Sequence, residues 1–169
     1  DTYRSVLESG EMAKKNGLAI VTGTQYRREN SYADAIKQLQ GGIIGEITAS
    51  YAYYCAGTQW HLGDGGEKKW DPMTYQMRNW PHYTRLSGDL IAEQSIHNID
   101  AINWSMGGAP VKAYASGGRI DRVEPEYGNI YDHFSVHFEY ANGVECAFMG
   151  RHYKGSSNRV EKKKKSSGK

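Results

Sequence analysis

Residues 130–150 read IYDHFSVHFEYANGVECAFMG, and this stretch decides the fold class. Apolar and polar side chains alternate from His133 to Tyr140, which is the period of a β-strand with one buried face. Asn142-Gly143 follows, the strongest short sequence signal for a hairpin turn. VECAFMG then predicts the returning strand. The stretch therefore predicts an antiparallel hairpin.

The segments before this hairpin extend the sheet and add helices. Residues 46–56, EITASYAYYCA, alternate strictly and predict a strand with two usable faces, and residues 110–120 predict another strand. Helical spacing before glycine-containing stops predicts helices at about 2–16, 31–40 and 89–106. This order predicts an α+β fold in which helices cover one face of a mixed, largely antiparallel sheet and leave the other face open.

The composition is that of one soluble domain. The chain has 169 residues, of which 38% are hydrophobic and 24% charged, and this suffices for one sizeable core. No apolar run reaches the ~18 residues that cross a bilayer. The start, DTYRSVLESG, lacks the basic and apolar regions of a secretory signal. We therefore expect no membrane partner, and we expect that Asp1 is not the natural start of translation.

The formal net charge of +2 comes from one end of the chain. Residues 159–169 hold six basic residues against Glu161, and the rest of the chain holds more acidic than basic residues. A nucleic-acid-binding domain carries a basic stripe on its folded surface, so we expect no nucleic-acid partner. The tail is predicted to be a solvated, disordered end, with a polyanion-binding arm as the alternative.

Residues 56–88 show no clear period, yet they are rich in aromatic side chains. Such a long connection in a compact domain is usually functional or disordered, and the aromatic content argues against disorder. Flat rings together with planar hydrogen-bonding groups suit a carbohydrate or another ring-shaped ligand. The candidates for this role are Trp60, Gln76, Arg78 and Trp80. The alternative is a second small core packed under a long loop.

One face of the predicted helix at 89–106 carries titratable side chains. Glu93, His97, Asp100 and Trp104 follow the i, i+4, i+7 and i+11 spacing. A carboxylate one turn from an imidazole can fix its tautomer and make it more basic, which suits a general acid/base. A structural hydrogen-bonding role for His97 stays open. A metal site is a second alternative, with His133 or His137 completing the ligand set.

Several segments resemble a known family of enzymes. SGDLIAEQSIHNIDAINWSMGGAPVKAYASGGR, residues 87–119, resembles the substrate-domain helix and following strand of the Gfo/Idh/MocA oxidoreductases. GLAIVTGTQYRR, residues 17–28, resembles the last strand of their dinucleotide-binding domain and its crossing into the substrate domain. YADAIKQLQGGIIGEITA, residues 32–49, resembles the helix and strand that follow. YQMRNW and PEYGNIYDHFSVHFEYANG resemble a sugar-processing branch of bacterial members.

The resemblance implies hydride transfer between NAD or NADP and a hydroxyl-bearing carbon of a sugar, cyclitol or glycoside. It implies that His97 is the catalytic acid/base and that Glu93 stands at a position that is often Asp in the family. Asp100 matches an acidic position that orients the substrate site, and Gln25 and Arg27 match the segment near the nicotinamide. The variable loop that shapes substrate choice corresponds to Trp60, Arg78 and Trp80. Net oxidation and redox-neutral glycoside cleavage both remain open.

The departures from the family concern the dinucleotide-binding part. No GxGxxG loop is present, and GGIIGE at 41–46 predicts a turn. The expected Glu-Lys-Pro segment, whose lysine is catalytic in the family, is also missing. The resemblance thus describes a fragment: residues 1–24 as the last α-β unit of a truncated Rossmann domain, residues 25–158 as the substrate and oligomerisation domain, and the tail at 159–169.

This division carries further expectations about the chain on its own. LAIVTGT at 18–24 predicts a buried strand of the parallel type, and Leu18, Ile20 and Val21 are expected to form an exposed apolar patch without its neighbours. We expect the fragment by itself to be inactive and to bind NAD weakly. The family resemblance implies a homo-oligomer formed through the open sheet. The compartment, cytoplasm or periplasm of a bacterium, stays open.

Overall fold

The computed structural model describes residues 2–21 and 23–155, so the tail at 159–169 lies outside the described residues. The helices are α1 (Thr2–Lys15), α2 (Asn30–Gln40), α3 (Pro72–Arg78), α4 (Thr84–Ser87), α5 (Asp89–Glu93) and α6 (Ile96–Met106). The strands are β1 (Ala49–Ala56), β2 (Lys112–Gly118), β3 (His133–Glu139) and β4 (Glu145–His152). Short 3-10 helices cover Gln25–Arg28, Trp80–His82 and Pro125–Tyr127. In this part of the chain, no helix has the length and apolar character of a membrane span.

These strands form one mixed sheet in the order β1-β4-β3-β2. Strand β3 pairs antiparallel with both β4 and β2, while β1 pairs parallel with β4. The predicted hairpin is confirmed: the Tyr140 N–H donates to the Val144 carbonyl at 3.0 Å, and Gly143 has a φ of +80°, which glycine adopts without strain. The α+β class with a largely antiparallel sheet is therefore confirmed.

The hydrophobic core lies between this sheet and α6. Val136, Phe138, Cys146 and Phe148 point from the two central strands, and Ile102 of α6 packs against them. These strand residues alternate with exposed or half-buried ones, so a single face of β3 and β4 is apolar. The core therefore fixes α6, and with it the candidate site, against the sheet.

The opposite face of the sheet is exposed along much of its width. The pairing registers place Tyr51, Ala147, His137 and Tyr114 in one row across all the strands. Tyr51 is 70% exposed and Tyr114 is 65% exposed. The predicted open face is thus present, and it carries large aromatic side chains.

The prediction of a single helix at 89–106 is wrong, because the structure has two helices there, α5 and α6. The N–H groups of Gln94 and Ser95 both donate to the Leu90 carbonyl, at 3.0 and 3.1 Å, which ends α5. Ser95 is fully buried, and its Oγ lies beside Gly150 of β4, where a Cβ atom would stand 2.9 Å away. The close approach of the chain to the sheet interrupts the helix, and helical spacing does not reveal such an approach.

The strand predicted at 18–24 is not formed by the described residues of that segment, 18–21 and 23–24. A strand needs a neighbour to accept and donate backbone hydrogen bonds, and among the described residues the sheet consists of β1 to β4. Leu18, Ile20 and Val21 are 64–75% exposed. The expected exposed apolar patch is therefore present, while the assignment of 1–24 to a Rossmann domain stays a prediction.

Candidate active site

His97 lies in the first turn of α6, half-buried and next to the segment that precedes α2. Its Nε2 atom is 3.5 Å from Nε2 of Gln25, and its ring centroid is 5.6 Å from that of Tyr26. Its Nδ1 atom is buried and has no hydrogen-bond partner among the described residues. The imidazole is therefore not sealed in apolar packing, and its Nε2 atom faces the side-chain amide of Gln25.

The 3-10 helix Gln25–Arg28 is held against α6 by an ion pair. The Arg27 guanidinium donates to both carboxylate oxygens of Asp100, at 2.7 and 2.9 Å, and lies 5.2 Å from the ring centroid of Trp104. The hydrogen bond that Arg27 donates to Asp100 raises the pKa of Arg27 above its ordinary value. Because Arg27 occupies the carboxylate, Asp100 fastens the crossing segment in this structure and so places Gln25 beside His97.

An open cavity of about 500 Å³ adjoins this ion pair. Its lining includes Arg27, Asp100 and Trp104, with Gln40 and Asn103 adding amide groups. The Gln40 amide also donates to the Trp104 carbonyl at 2.8 Å, which ties α2 to α6. Polar groups around an indole ring can bind a hydroxylated ligand, although His97 itself is not part of this lining.

Two tyrosines were missed by the sequence reasoning: Tyr26, whose ring lies beside His97, and Tyr54, which is near Tyr26 and Glu93. The ring of Tyr26 stacks on that of Tyr32, with centroids 4.5 Å apart and an interplanar angle of 7°. Burial raises the pKa of Tyr54, and the nearby Tyr26 and Glu93 add to this effect. Tyr26 stands between the two candidate residues Gln25 and Arg27, so its position was a usable signal. Tyr54 had no such signal, because strand alternation alone does not say which neighbour its hydroxyl meets.

Glu93 ends α5 and therefore does not share a continuous helix with His97. Its Oε2 atom accepts a hydrogen bond from the side-chain amide of Gln94. The joint at Gln94 and Ser95 separates the two helices, so the continuous helix assumed for the i, i+4 spacing is not formed. The catalytic role of Glu93 stays a prediction.

The candidates in the long segment each contact other residues of that segment. The Arg78 guanidinium lies 4.8 Å from the ring centroid of Trp70, and Gln76 accepts a hydrogen bond from Arg85. Trp60 and Trp80 are 46% and 37% exposed. Between this group and His97, the described residues make no direct hydrogen bond and no ring contact. Their role in substrate binding stays a prediction.

The same segment also contains a small polar core. Asn79 and His82 are fully buried. The Asn79 side chain accepts from the Leu62 N–H at 2.8 Å and donates to the Gly63 carbonyl at 3.0 Å. Burial lowers the pKa of His82, whose Nε2 lies 2.7 Å from the Trp60 carbonyl. The interpretation as a second small core is thus supported, while ligand binding by the tryptophans stays a prediction.

The residues named for a metal site are not brought together. His133 bonds through Nδ1 to the Asp132 carboxylate at 2.8 Å, and His137 is exposed on the open face. Within residues 2–21 and 23–155, no three His, Cys, Asp or Glu side chains are grouped as metal ligands would be. The metal alternative therefore has no ligand set among these residues.

Comparison with known proteins identifies the family. Residues 32–161 match the family described as the GFO/IDH/MocA C-terminal domain, which covers most of the chain. The chain belongs to the Gfo/Idh/MocA family. The helix that carries His97 and the strands β1 to β4 lie within the matched residues, whereas the crossing segment at 25–28 precedes them.

Relatives of this Gfo/Idh/MocA chain are considerably longer. It is 23% identical over 141 residues to an uncharacterized oxidoreductase of Streptococcus pneumoniae, covering 83% of this chain and 34% of that protein. The aldose-aldose oxidoreductase of Caulobacter crescentus, solved with glycerol, shares 20% identity at a TM-score of 0.63, over 86% of this chain and 38% of that one.

Two further solved structures share the fold of the Gfo/Idh/MocA chain. A putative myo-inositol dehydrogenase of Sinorhizobium meliloti has 18% identity and a TM-score of 0.61, over 85% of this chain and 38% of that one. GenD2 from gentamicin A biosynthesis, solved with NAD, has 11% identity and a TM-score of 0.67, over 88% of this chain and 37% of that one. The chain thus spans little more than a third of each of these proteins.

Proposed function

We propose that this chain is the substrate-binding and catalytic part of an NAD(P)-dependent oxidoreductase that acts on a hydroxyl group of a sugar, cyclitol or glycoside. The observation that carries the proposal is the half-buried His97 imidazole, placed beside Gln25 by the Arg27–Asp100 pair. Membership of an oxidoreductase family supports it. The nicotinamide of NAD or NADP accepts or returns the hydride when it is bound.

This chain contributes to only part of a dinucleotide site. The glycines at 41–45 form a turn after α2, as predicted, and not a phosphate loop between a strand and a helix. Gln25 and Arg27 lie beside His97 on the crossing segment. They would border the nicotinamide end, and the phosphates would be held by residues outside this chain. On this basis we expect the chain by itself to be inactive and to bind NAD weakly.

His97 would hold the proton that leaves the substrate hydroxyl. Because Nδ1 is buried, Nε2 is the nitrogen that a substrate can reach. The Gln25 amide, 3.5 Å away, would shift to the substrate oxygen as the hydroxyl enters. A positioned acid/base of this kind contributes roughly 10²- to 10⁴-fold to the rate.

The test is the His97→Ala variant of the full-length gene product. Turnover should fall by about 10² to 10⁴-fold while substrate binding is retained, because the imidazole acts mainly in the transition state. The appearance of reduced nicotinamide in the wild type distinguishes net oxidation from redox-neutral glycoside cleavage. Wild-type turnover in His97→Ala would reject the proposal.

A non-catalytic carbohydrate-binding or dimerisation domain is the second candidate. The open face favours an assembly role, since Tyr51 and Tyr114 lie exposed in one row across the sheet. The two candidates differ at one residue: His97→Ala should leave an assembly or binding domain unchanged. We infer that the open face joins copies of the protein into a homo-oligomer, whichever candidate holds.

A further inference from the structure

The joint between α5 and α6 is fastened directly to the sheet. Ser95 is fully buried, and Gly150 of β4 leaves room for its Oγ. The Asn98 side-chain amide donates to the Tyr53 carbonyl of β1 at 2.8 Å. The sheet therefore sets the position of the chain directly after Gln94.

A chain of side-chain hydrogen bonds runs from the sheet to Glu93. The Tyr54 hydroxyl donates to Oε1 of Gln94 at 2.7 Å, and Nε2 of Gln94 donates to Oε2 of Glu93. An ionised carboxylate only accepts hydrogen bonds, so the amide must turn its nitrogen toward Glu93 and its oxygen toward Tyr54. Tyr54 must then be a donor, and each hydrogen bond in the chain has one fixed donor and one fixed acceptor.

The Tyr54 end of this chain is anchored. Its ring stacks on that of His152, with centroids 5.5 Å apart and an interplanar angle of 12°. His152 is only 3% exposed, and its backbone N–H donates to the Asp132 carbonyl at 2.8 Å. Burial raises the pKa of Tyr54, so its hydroxyl keeps its proton around neutral pH.

We propose that Tyr54 and Gln94 are positioning residues that hold the Glu93 carboxylate in one orientation at the acid/base site. The need for them follows from the broken helix, because α5 and α6 do not by themselves fix Glu93 relative to His97. This inference rests on the proposed function of His97 and on the predicted catalytic role of Glu93. Tyr54 acts only through Gln94, so neither residue needs to touch the substrate.

The experiment compares Tyr54→Phe, Gln94→Leu and the double variant in the full-length gene product. Tyr54→Phe removes the hydroxyl and keeps the ring on His152, and we expect kcat to fall roughly tenfold with little change in KM. The double variant should lose no more than Gln94→Leu does, because the two groups act in series. Tyr131→Phe, on the exposed segment before β3, is the matched control with unchanged kcat.

The outcomes separate this inference from the proposed function. If His97→Gln abolishes turnover while Tyr54→Phe keeps the wild-type kcat, the inference fails and the function stands. If His97→Gln keeps turnover, both fail. The inference is also overturned if the losses of kcat in the two single variants add in the double variant. A change in KM without a change in kcat overturns it as well. Should Tyr54→Phe not fold, Gln94→Met is judged by the same kcat criterion, since it keeps the length of the side chain and removes the amide.

Discussion

The Arg27 guanidinium binds both oxygens of the Asp100 carboxylate, although 73 positions separate the two residues in the chain. Their side chains are 38% and 18% exposed, so solvent screens the pair only in part. The pair joins the crossing segment to α6, and through it Gln25 reaches His97. The contact therefore links the stability of the segment to the geometry of the candidate site.

Removing this ion pair should cost little stability. In a double-mutant cycle with Arg27→Met and Asp100→Asn, we expect a coupling energy of about 1 kcal/mol in the free energy of unfolding. The bidentate geometry strengthens the pair, whereas its partial exposure to solvent weakens it. Urea denaturation measures it. The pair of Lys112 and Glu139, with side chains 58% and 34% exposed, is the control and should couple more weakly. Equal coupling in both pairs would contradict the prediction.

Gly150→Ala should be strongly destabilising. The new Cβ would stand 2.9 Å from Ser95 Oγ and 3.1 Å from the Phe148 ring, so one of them must move. We expect a loss of about 1–3 kcal/mol in the free energy of unfolding, the usual cost of overpacking. Gly108→Ala is the control, because nothing lies within 4 Å of a Cβ there.

A second variant isolates the cause of that loss. Adding Ser95→Gly to Gly150→Ala removes the nearer of the two clashing groups. The double variant should therefore lose less than the two single losses added together. If the losses of stability in thermal and urea unfolding are additive, a steric clash between Ser95 and the new Cβ at position 150 is not their cause.

The stability of the chain should fall between pH 6.5 and 4. Burial, with a smaller effect of Arg122, lowers the pKa of His152 from 6.5 to about 4. The unfolded chain then takes up a proton near pH 6.5 that the folded chain refuses until about pH 4, so stability is complete above this window and declines within it. The loss is on the order of 3 kcal/mol. Urea midpoints measured across this pH range test the slope, and a flat profile would reject it.

Two substitutions assign this pH dependence. His152→Phe keeps a ring for Tyr54 to stack on and should flatten the slope, leaving the smaller contribution of His82, whose pKa burial also lowers. Arg122→Met should make the loss of stability smaller and end it at a higher pH, because removing the nearby positive charge raises the pKa of His152.

Asp132 contributes to the pH dependence of stability at lower pH values. The N–H groups of residues 120–122 and the His133 side chain outweigh burial and lower its pKa, so its contribution is lost below about pH 3.8.

Charges on the open face should change the oligomeric state. Tyr51→Lys together with Tyr114→Lys places two cations in the exposed aromatic row of the sheet. If that face joins copies of the protein, light scattering should show a shift to monomer, because desolvating an unpaired charge is costly. Val123→Lys, on a loop outside the sheet and 53% exposed, is the control. An unchanged mass in the double variant would contradict assembly through this face.

Much of the fold could be predicted from residues close together in the chain. Alternation from His133 to Tyr140 and the Asn142-Gly143 turn predicted β3, the hairpin and β4, since strand period and turn chemistry are local properties. The strand at 18–24 was predicted by the same reasoning and is absent from its described residues. An apolar run becomes a strand only if another strand lies beside it.

The candidate site was predicted in part. The resemblance to the family named Gln25, Arg27, His97 and Asp100, and the structure brings these residues together. The structure also pairs Arg27 with Asp100, a contact that the spacing of residues in the sequence could not reveal. Trp60 and Trp80 remained apart from that group, because the long segment folds around its own buried polar residues.

By itself, the sequence determined the strands of the hairpin, the identity of the acid/base candidate and the family to which the chain belongs. The tertiary structure decided where the helix at 89–106 breaks and which groups hold Glu93. Those features depend on Ser95 meeting Gly150 and on Tyr54 meeting Gln94, pairs that lie 40 or more positions apart. Local propensity acts within a few residues, whereas close packing is set by the sheet that brings distant residues into contact.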